Sequence, residues 1–214
     1  MPVYSRFKPL PQGYEPTAKE VAKALISTWE SSLEEEEEDF DNAVVFAGLG
    51  EPLLRLDVMR DTIALIKSSG VKPSGKGAGE ETDFRVITNG LFWDVDQVVK
   101  DIKSAGVTSC TVSLNYPTPS LYNAHMFKPP PYSVSRFYPE NPLDCIGVIS
   151  PPQHYDDRPA LGFNDVLNFI RTLSNVGVKV TATAVDNGIT DVGKTEVIAR
   201  ENGAEEFKVR TYVK

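Results

Sequence analysis

Ala43-Val44-Val45-Phe46-Ala47-Gly48-Leu49-Gly50-Glu51-Pro52 decides the fold. Its first half is a short apolar run without alternation, which reads as a strand buried in a parallel sheet. Two glycines follow, then a carboxylate. Leu53 to Ser69 is amphipathic and reads as a helix. Strand, glycine turn and helix form the repeating step of an α/β protein.

The step recurs on both sides. Upstream, Glu15-Pro16-Thr17 opens a helix. Thr17 and Glu20 have capping-box spacing, and Val21, Leu25, Ile26 and Trp29 fall on one helical face. That helix stops at Ser31-Ser32-Leu33. The Glu34–Glu38 run after it repels itself and reads as a solvated loop or frayed helix end, with metal or partner binding as the alternative. Downstream, Gly70 to Asp83 reads as an exposed loop, and Phe84–Thr88 as a strand closed by Asn89-Gly90. Asp94 caps a helix that ends at Ala105, with Gly106 just beyond. Thr108–Asn115 is a strand, Phe163–Val176 a helix, and Lys179–Asp186 a strand. A helix starting at Thr190 or Asp191 and a strand over Glu205–Val213 complete the pattern. Strict alternation implies right-handed crossovers and a parallel sheet with outer helices, met equally by an open barrel or a doubly wound sheet.

Tyr116 to Leu161 breaks the rhythm. It is rich in proline and carries both histidines, His125 and His154. It reads as a long insertion (117–161), either a surface decoration or a lid. The histidines have no third ligand at a metal-binding spacing and read as solvated loop residues. No domain boundary is visible, so residues 1–214 read as one domain with an N-terminal segment over 1–14.

Composition excludes several function classes. The 214 residues carry 22 Lys and Arg against 30 Asp and Glu, a net charge of -8. Such a surface repels phosphate backbones and anionic lipid, so no nucleic acid and no membrane is expected as partner. No apolar run approaches the ~20 residues that span a bilayer. The N-terminus has no apolar signal core, and the expected compartment is cytoplasmic. The 2 cysteines, Cys110 and Cys145, rule out a disulfide framework or a four-cysteine metal site built by this chain. Cys145 reads as a small buried residue rather than a nucleophile.

Ligands of parallel α/β folds sit at the C-terminal strand ends. Here those ends are Gly48–Pro52, Thr88–Gly90, Ser113–Asn115, Val185–Gly188 and Arg210–Tyr212, all polar or glycine-bearing. Each is compatible with plain turn chemistry, but their convergence on one rim favours a site. Thr111, Ser113 and Asn115 share one strand face, opposite Cys110, Val112 and Leu114. Lys208, Arg210 and Tyr212 share a face in the last strand, which suits an open crevice holding a polar ligand rather than a packed barrel core. Glu51 has two readings. It receives a ligand's ammonium group, or it balances the start of the helix that follows.

Taken in order, Val-Val-Phe-Ala-Gly-Leu-Gly-Glu-Pro-Leu-Leu-Arg-Leu, Ile-Thr-Asn-Gly-Leu, Val-Ser-Leu-Asn, Val-Asp and Phe-Lys-Val-Arg-Thr-Tyr resemble the radical SAM superfamily. Within it, the chain looks like the small radical SAM proteins associated with TatD-type hydrolases, from about Glu15 to Val213. The resemblance implies a partial (β/α) barrel binding S-adenosylmethionine at the C-terminal rim. Gly48, Gly50 and Glu51 match the motif that holds the methionine amino group. Ser113 and Asn115 match positions facing the ribose and carboxylate. Asn89, Asp186 and Arg210 lie at further strand ends that flank the cofactor or substrate.

One departure is severe. The family's CxxxCxxC loop, which holds a [4Fe–4S] cluster, belongs just before the Glu15 helix, where this chain has no cysteine and no convincing first strand. The resemblance therefore implies a barrel whose first strand is missing or replaced. Its cluster is present only if cysteines come from outside this chain. Three accounts follow: an upstream segment completes an enzyme, another chain supplies the cluster loop, or the chain is a degenerate, non-catalytic module that keeps a ligand pocket. An open edge on the Ala43–Ala47 strand would favour a protein partner or a homodimer.

Overall fold

The computed structural model describes residues 14–32, 43–48, 50–71, 81–126 and 161–211. Five strands, β1 (Ala43–Phe46), β2 (Asp83–Thr88), β3 (Ser109–Ser113), β4 (Lys179–Asp186) and β5 (Glu206–Thr211), form one sheet. Every pairing is parallel, and the order is β1-β2-β3-β4-β5. The helices are α1 (Ala18–Ser32), α2 (Leu56–Ser69), α3 (Val95–Ala105), α4 (Pro119–Met126), α5 (Phe163–Asn175) and α6 (Val192–Glu201). Sequential strands joined by right-handed crossovers put their helices on one side. The helix layer follows the strand order, with α1 on α2, α2 on α3 and α3 on α5. Among the described strands the order never reverses, so they contain no switch point of the doubly wound kind. It is consistent with a partial barrel.

Local sequence explains the element ends. The Thr17–Glu20 box forms at α1: the Thr17 N–H donates to Glu20 Oε2 at 2.9 Å, and the Glu20 N–H to Thr17 Oγ1 at 3.3 Å. Asp94 Oδ1 accepts from the Gln97 N–H at 3.1 Å, and Asp191 Oδ1 from the Lys194 N–H at 3.0 Å, capping α3 and α6. Gly106 ends α3 at φ 88°, the left-handed conformation that glycine tolerates.

The core lies between sheet and helices. Val44, Phe84, Val86, Cys110, Val112, Val180, Ala182 and Ala184 are buried on the helix side. They meet Met59, Ile63 and Ile66 of α2, Val99 and Ile102 of α3, and Val166, Phe169, Ile170 and Leu173 of α5. Each fully buried side chain of this kind contributes roughly 1.5–3 kcal/mol. The alternate residues face the other way. Arg85, Ser109, Thr111, Ser113 and Thr181 are half-buried there, and Lys179, Lys208 and Arg210 are exposed. This open face is the polar interior that strand alternation predicted.

Three elements differ from expectation. The strand expected to reach Asn115 stops at Ser113, because Asn115 takes φ 59° and turns the chain. The helix expected from Leu53 begins as a 3-10 turn, Pro52–Arg55, before α2. Part of the 117–161 stretch is helical. Thr118 Oγ1 accepts from the Leu121 N–H at 3.3 Å, and Pro119 occupies the first turn of α4. Among the described residues, no strand pairs with the outer edge of β1. The 1–13 segment, the Glu34–Glu38 run, most of the Gly70–Asp83 loop, Cys145, His154 and Tyr212 lie outside the described residues.

Candidate functional site

The C-terminal rim is built around Glu51. Its residue is 9% exposed, and its carboxylate joins two strand ends. Oε1 accepts from the Leu53 N–H at 3.1 Å, and Oε2 from the Asn89 N–H at 2.8 Å. The Thr88 hydroxyl adds a further hydrogen bond. Burial pushes the carboxyl above its ordinary range, against the pull of the Asn89, Leu53 and Thr88 donors. Of the two roles read for Glu51, capping of the following turn is therefore visible. With three donors on its two oxygens, the carboxylate keeps one acceptor site for a ligand.

The rim glycines fall into two kinds. Gly90 sits at φ 73°, and a Cβ there would stand 2.9 Å from Val112 Cγ1 and 3.3 Å from Phe169 Cδ1. The fold requires glycine at that position. Gly48 and Gly50 have no positive φ. A Cβ on Gly50 would meet nothing within 4 Å, and one on Gly48 would come only within 3.9 Å of the Gly50 nitrogen. Among the described residues, neither a positive φ nor a packing contact accounts for glycine at 48 and 50, and the missing side chains leave the backbone there open to close approach.

At the third strand end the backbone is strained. The Leu114 and Asn115 N–H groups both donate to the Thr183 carbonyl, at 3.0 and 3.1 Å. The Tyr116 N–H then donates back to the Leu114 carbonyl at 2.7 Å. This closes a γ-turn with Asn115 at its centre, at φ 59°. Such strain concentrates at ligand sites, where the surrounding structure holds it. The side chain is held as well, as Asn115 Nδ2 donates to Met126 Sδ at 3.5 Å. Ser113 lies two residues back on the open face, paired in register with Thr183.

Sequence reasoning missed the support around Asn115. Tyr116 stacks on His125 of α4, with ring centroids 5.0 Å apart and planes 19° apart. Asn187 Nδ2 donates to the Tyr116 hydroxyl at 3.0 Å. Asn187 Oδ1 accepts from the Ile189 N–H, the Thr190 N–H and the Thr190 hydroxyl, which fixes the amide's orientation. The only signal was Asn187-Gly188, which reads as an ordinary turn. His125 therefore packs against the rim, where a solvated loop residue was expected.

Asp186 and Arg210 are not brought together. Val185 is the register partner of Arg210, so Arg210 lies on the open face beside Lys208. Asp186 has the opposite parity and is exposed, and its Oδ1 accepts from the Gly188 N–H at 3.2 Å. Its visible work is local turn formation. The rim thus unites Gly48, Gly50, Glu51 and Asn89 at the ends of β1 and β2, with Ser113 and Asn115 at β3.

Metal chemistry finds no ligand set here. Among the described residues, no group of three or more His, Cys, Asp or Glu is placed to hold a metal ion. Cys110 is buried on the helix side of β3. Burial, then the charge of Glu51, push its thiol up to about 12. A thiol raised in this way stays protonated at neutral pH, the form that ligates poorly. Among the described residues, no helix is long and apolar enough to cross a membrane. No family model matches the chain, and no curated protein matches it.

Proposed function

We propose that this chain is a radical SAM-type barrel domain that binds S-adenosylmethionine at the C-terminal rim. The single observation that carries the reading is the pair Gly48 and Gly50, open among the described residues where a Cβ would stand. They sit directly before a buried carboxylate and beside a strained third strand end. In this reading the Gly48–Glu51 segment holds the methionine ammonium group. Its backbone carbonyls and Glu51 provide acceptors for a cation. Ser113 and the Asn115 turn face the ribose and carboxylate, and Arg210 flanks the opening from β5. The cofactor supplies an activated sulfonium centre.

The [4Fe–4S] cluster of such enzymes does not fit the residues of this chain. A CxxxCxxC loop requires a thiolate at each of its cysteines, and the chain has 2 cysteines in all, one of them the buried Cys110. The domain is catalytically complete only with a cluster loop from outside these residues. Without one it is a non-catalytic module that binds the cofactor or a related ligand.

Titration calorimetry with S-adenosylmethionine tests the proposal. Saturable binding is expected, weakened at least about ten-fold, or ~1.4 kcal/mol, by Gly50→Ala. Iron and sulfide added anaerobically should leave the protein colourless. No heat of binding rules out the cofactor, and binding indifferent to Gly50→Ala and Glu51→Ala alike rules out the rim as its site.

A further inference from the structure

A second site lies at the other end of the sheet. Among the described residues, the base of the open face forms a solvent-open hollow of about 770 Å³, away from the rim. Its floor is a row set by register: Arg85 of β2 pairs with Ser109 of β3, and Ser109 pairs with Lys179 of β4. All three point to the open face, since Phe84, Cys110 and Val180 beside them are buried on the helix side. Adjacent strands lie about 4.8 Å apart, so the two cationic residues flank Ser109 with their backbones roughly 10 Å from each other. Thr111 stands two residues above Ser109 on the same strand face. Lys103 and Lys208 add further positive charge to the walls.

The acidic wall residues are largely committed. Asp83 Oδ2 takes Arg85 Nε at 2.5 Å, and Glu206 Oε2 takes Lys208 Nζ at 3.2 Å. Asp83 also accepts from the Thr108 hydroxyl. Lys103 and Lys179 form no ion pair within 4.0 Å among the described residues, although Lys179 joins Lys208 in holding the Glu206 carboxyl below its ordinary range. In a chain where carboxylates outnumber cations 30 to 22, this cavity reverses the balance, with Arg85, Lys103, Lys179 and Lys208 against Asp83, Glu205 and Glu206.

We propose that the base of the open face binds a phosphate group of a small molecule above Ser109, between Arg85 and Lys179. Arg supplies planar paired donors and Lys a point charge, and phosphate takes both. Ser109 and Thr111 contribute neutral hydroxyl donors beneath. Because reactive ligands of parallel α/β folds gather at the C-terminal end, an anion at the base is a regulatory or stabilising ligand rather than a substrate. The site shares no residue with the rim and stands or falls independently of it.

The test is titration of the full chain with inorganic phosphate and with glycerol 3-phosphate, followed by calorimetry and by thermal shift. Saturable binding is expected, weaker at higher salt. Lys179→Ala should weaken it about ten-fold or more, since a charge-assisted contact is lost. Ser109→Ala should weaken it a few-fold, and Lys194→Ala, an exposed site on α6, should leave it unchanged. Equal affinity for the two probes marks the free anion as ligand. Tighter binding of the ester shows that the rest of the cavity holds an organic moiety. Absence of saturation up to ~20 mM, a concentration that would still reveal a millimolar site, overturns the proposal. So does binding that survives Lys179→Ala and Ser109→Ala combined. Neither residue is in the buried core, and unchanged circular dichroism will show that both variants fold.

Discussion

Replacing Glu51 with alanine should loosen the rim and lower the stability of the whole domain. The carboxylate is the shared acceptor of the Leu53 and Asn89 N–H groups, at 3.1 and 2.8 Å, with the Thr88 hydroxyl beside them. The site is 9% exposed, so water replaces the lost acceptor poorly. An unpaired buried N–H costs about 1–3 kcal/mol, which puts the two backbone donors at roughly 2–6 kcal/mol. Removing a carboxylate that burial disfavours returns part of that, leaving about 3 kcal/mol. For a chain of this length each kcal/mol moves the midpoint by about 2–4 °C, so Tm should fall by roughly 6–12 °C. Differential scanning calorimetry reads it directly. Glu51→Gln keeps one oxygen acceptor and should fall about half as far. The pH dependence has a fixed sign. Burial raises the folded pKa of Glu51, so its proton-linked stability is fully present below the ordinary carboxylate range. It is lost as pH rises through the raised value. The stability of the wild type relative to Glu51→Gln should therefore decline as pH increases through that window. An alanine variant within about 1 °C of wild type would refute the view that this carboxylate ties β1 to β2.

Gly90→Ala and Gly50→Ala should separate fold glycines from ligand glycines. Strain at φ 73° and contact with Val112 put Gly90→Ala at about 2–5 kcal/mol in urea unfolding, whereas Gly50→Ala should stay within about 0.5 kcal/mol. Asn115→Val should cost about 1–2 kcal/mol, because a β-branched residue is forced to φ 59°, and Asn115→Gly should be nearly neutral by the same measurement. The Thr17 N–H, the Thr17 hydroxyl and the Tyr14 hydroxyl hold Glu20 down to about 2. Its contribution to the start of α1 should thus persist above the ordinary carboxylate range and vanish as pH falls toward that value, with Glu20→Gln abolishing the dependence in an NMR titration.

Much of this fold is legible from sequence because local signals and burial agree. Asp94, Gly106 and Asp191 mark helix ends by capping chemistry, and the structure uses each of them so. The alternation of Thr111 and Ser113 with Cys110 and Val112 predicted the polar open face. The order of strands was not legible, since alternating α and β elements serve barrels and doubly wound sheets alike. α4 was hidden by its surroundings. It lies in a proline-rich stretch, and its one fully buried side chain, Tyr122, leaves no apolar stripe to read. Thr118-Pro119 was its only announcement. At the rim, Gly48, Gly50, Glu51 and Asn89 were visible as strand-end chemistry. The Asn187 clamp joins residues 71 apart in the chain, and the Tyr116–His125 stack forms only once α4 folds back on the rim, so no local pattern encodes either. The opposite facing of Asp186 and Arg210 depends on β4–β5 register, which a one-residue shift would reverse.

Amide chemical-shift mapping during titration with S-adenosylmethionine locates the cofactor on the sheet. The expected result is a contiguous set of perturbed amides at Gly48, Gly50, Asn89, Gly90, Leu114 and Asn115, with Ser109 and Lys179 at the base unmoved. Perturbations confined to the base, or none at saturating cofactor, would contradict it.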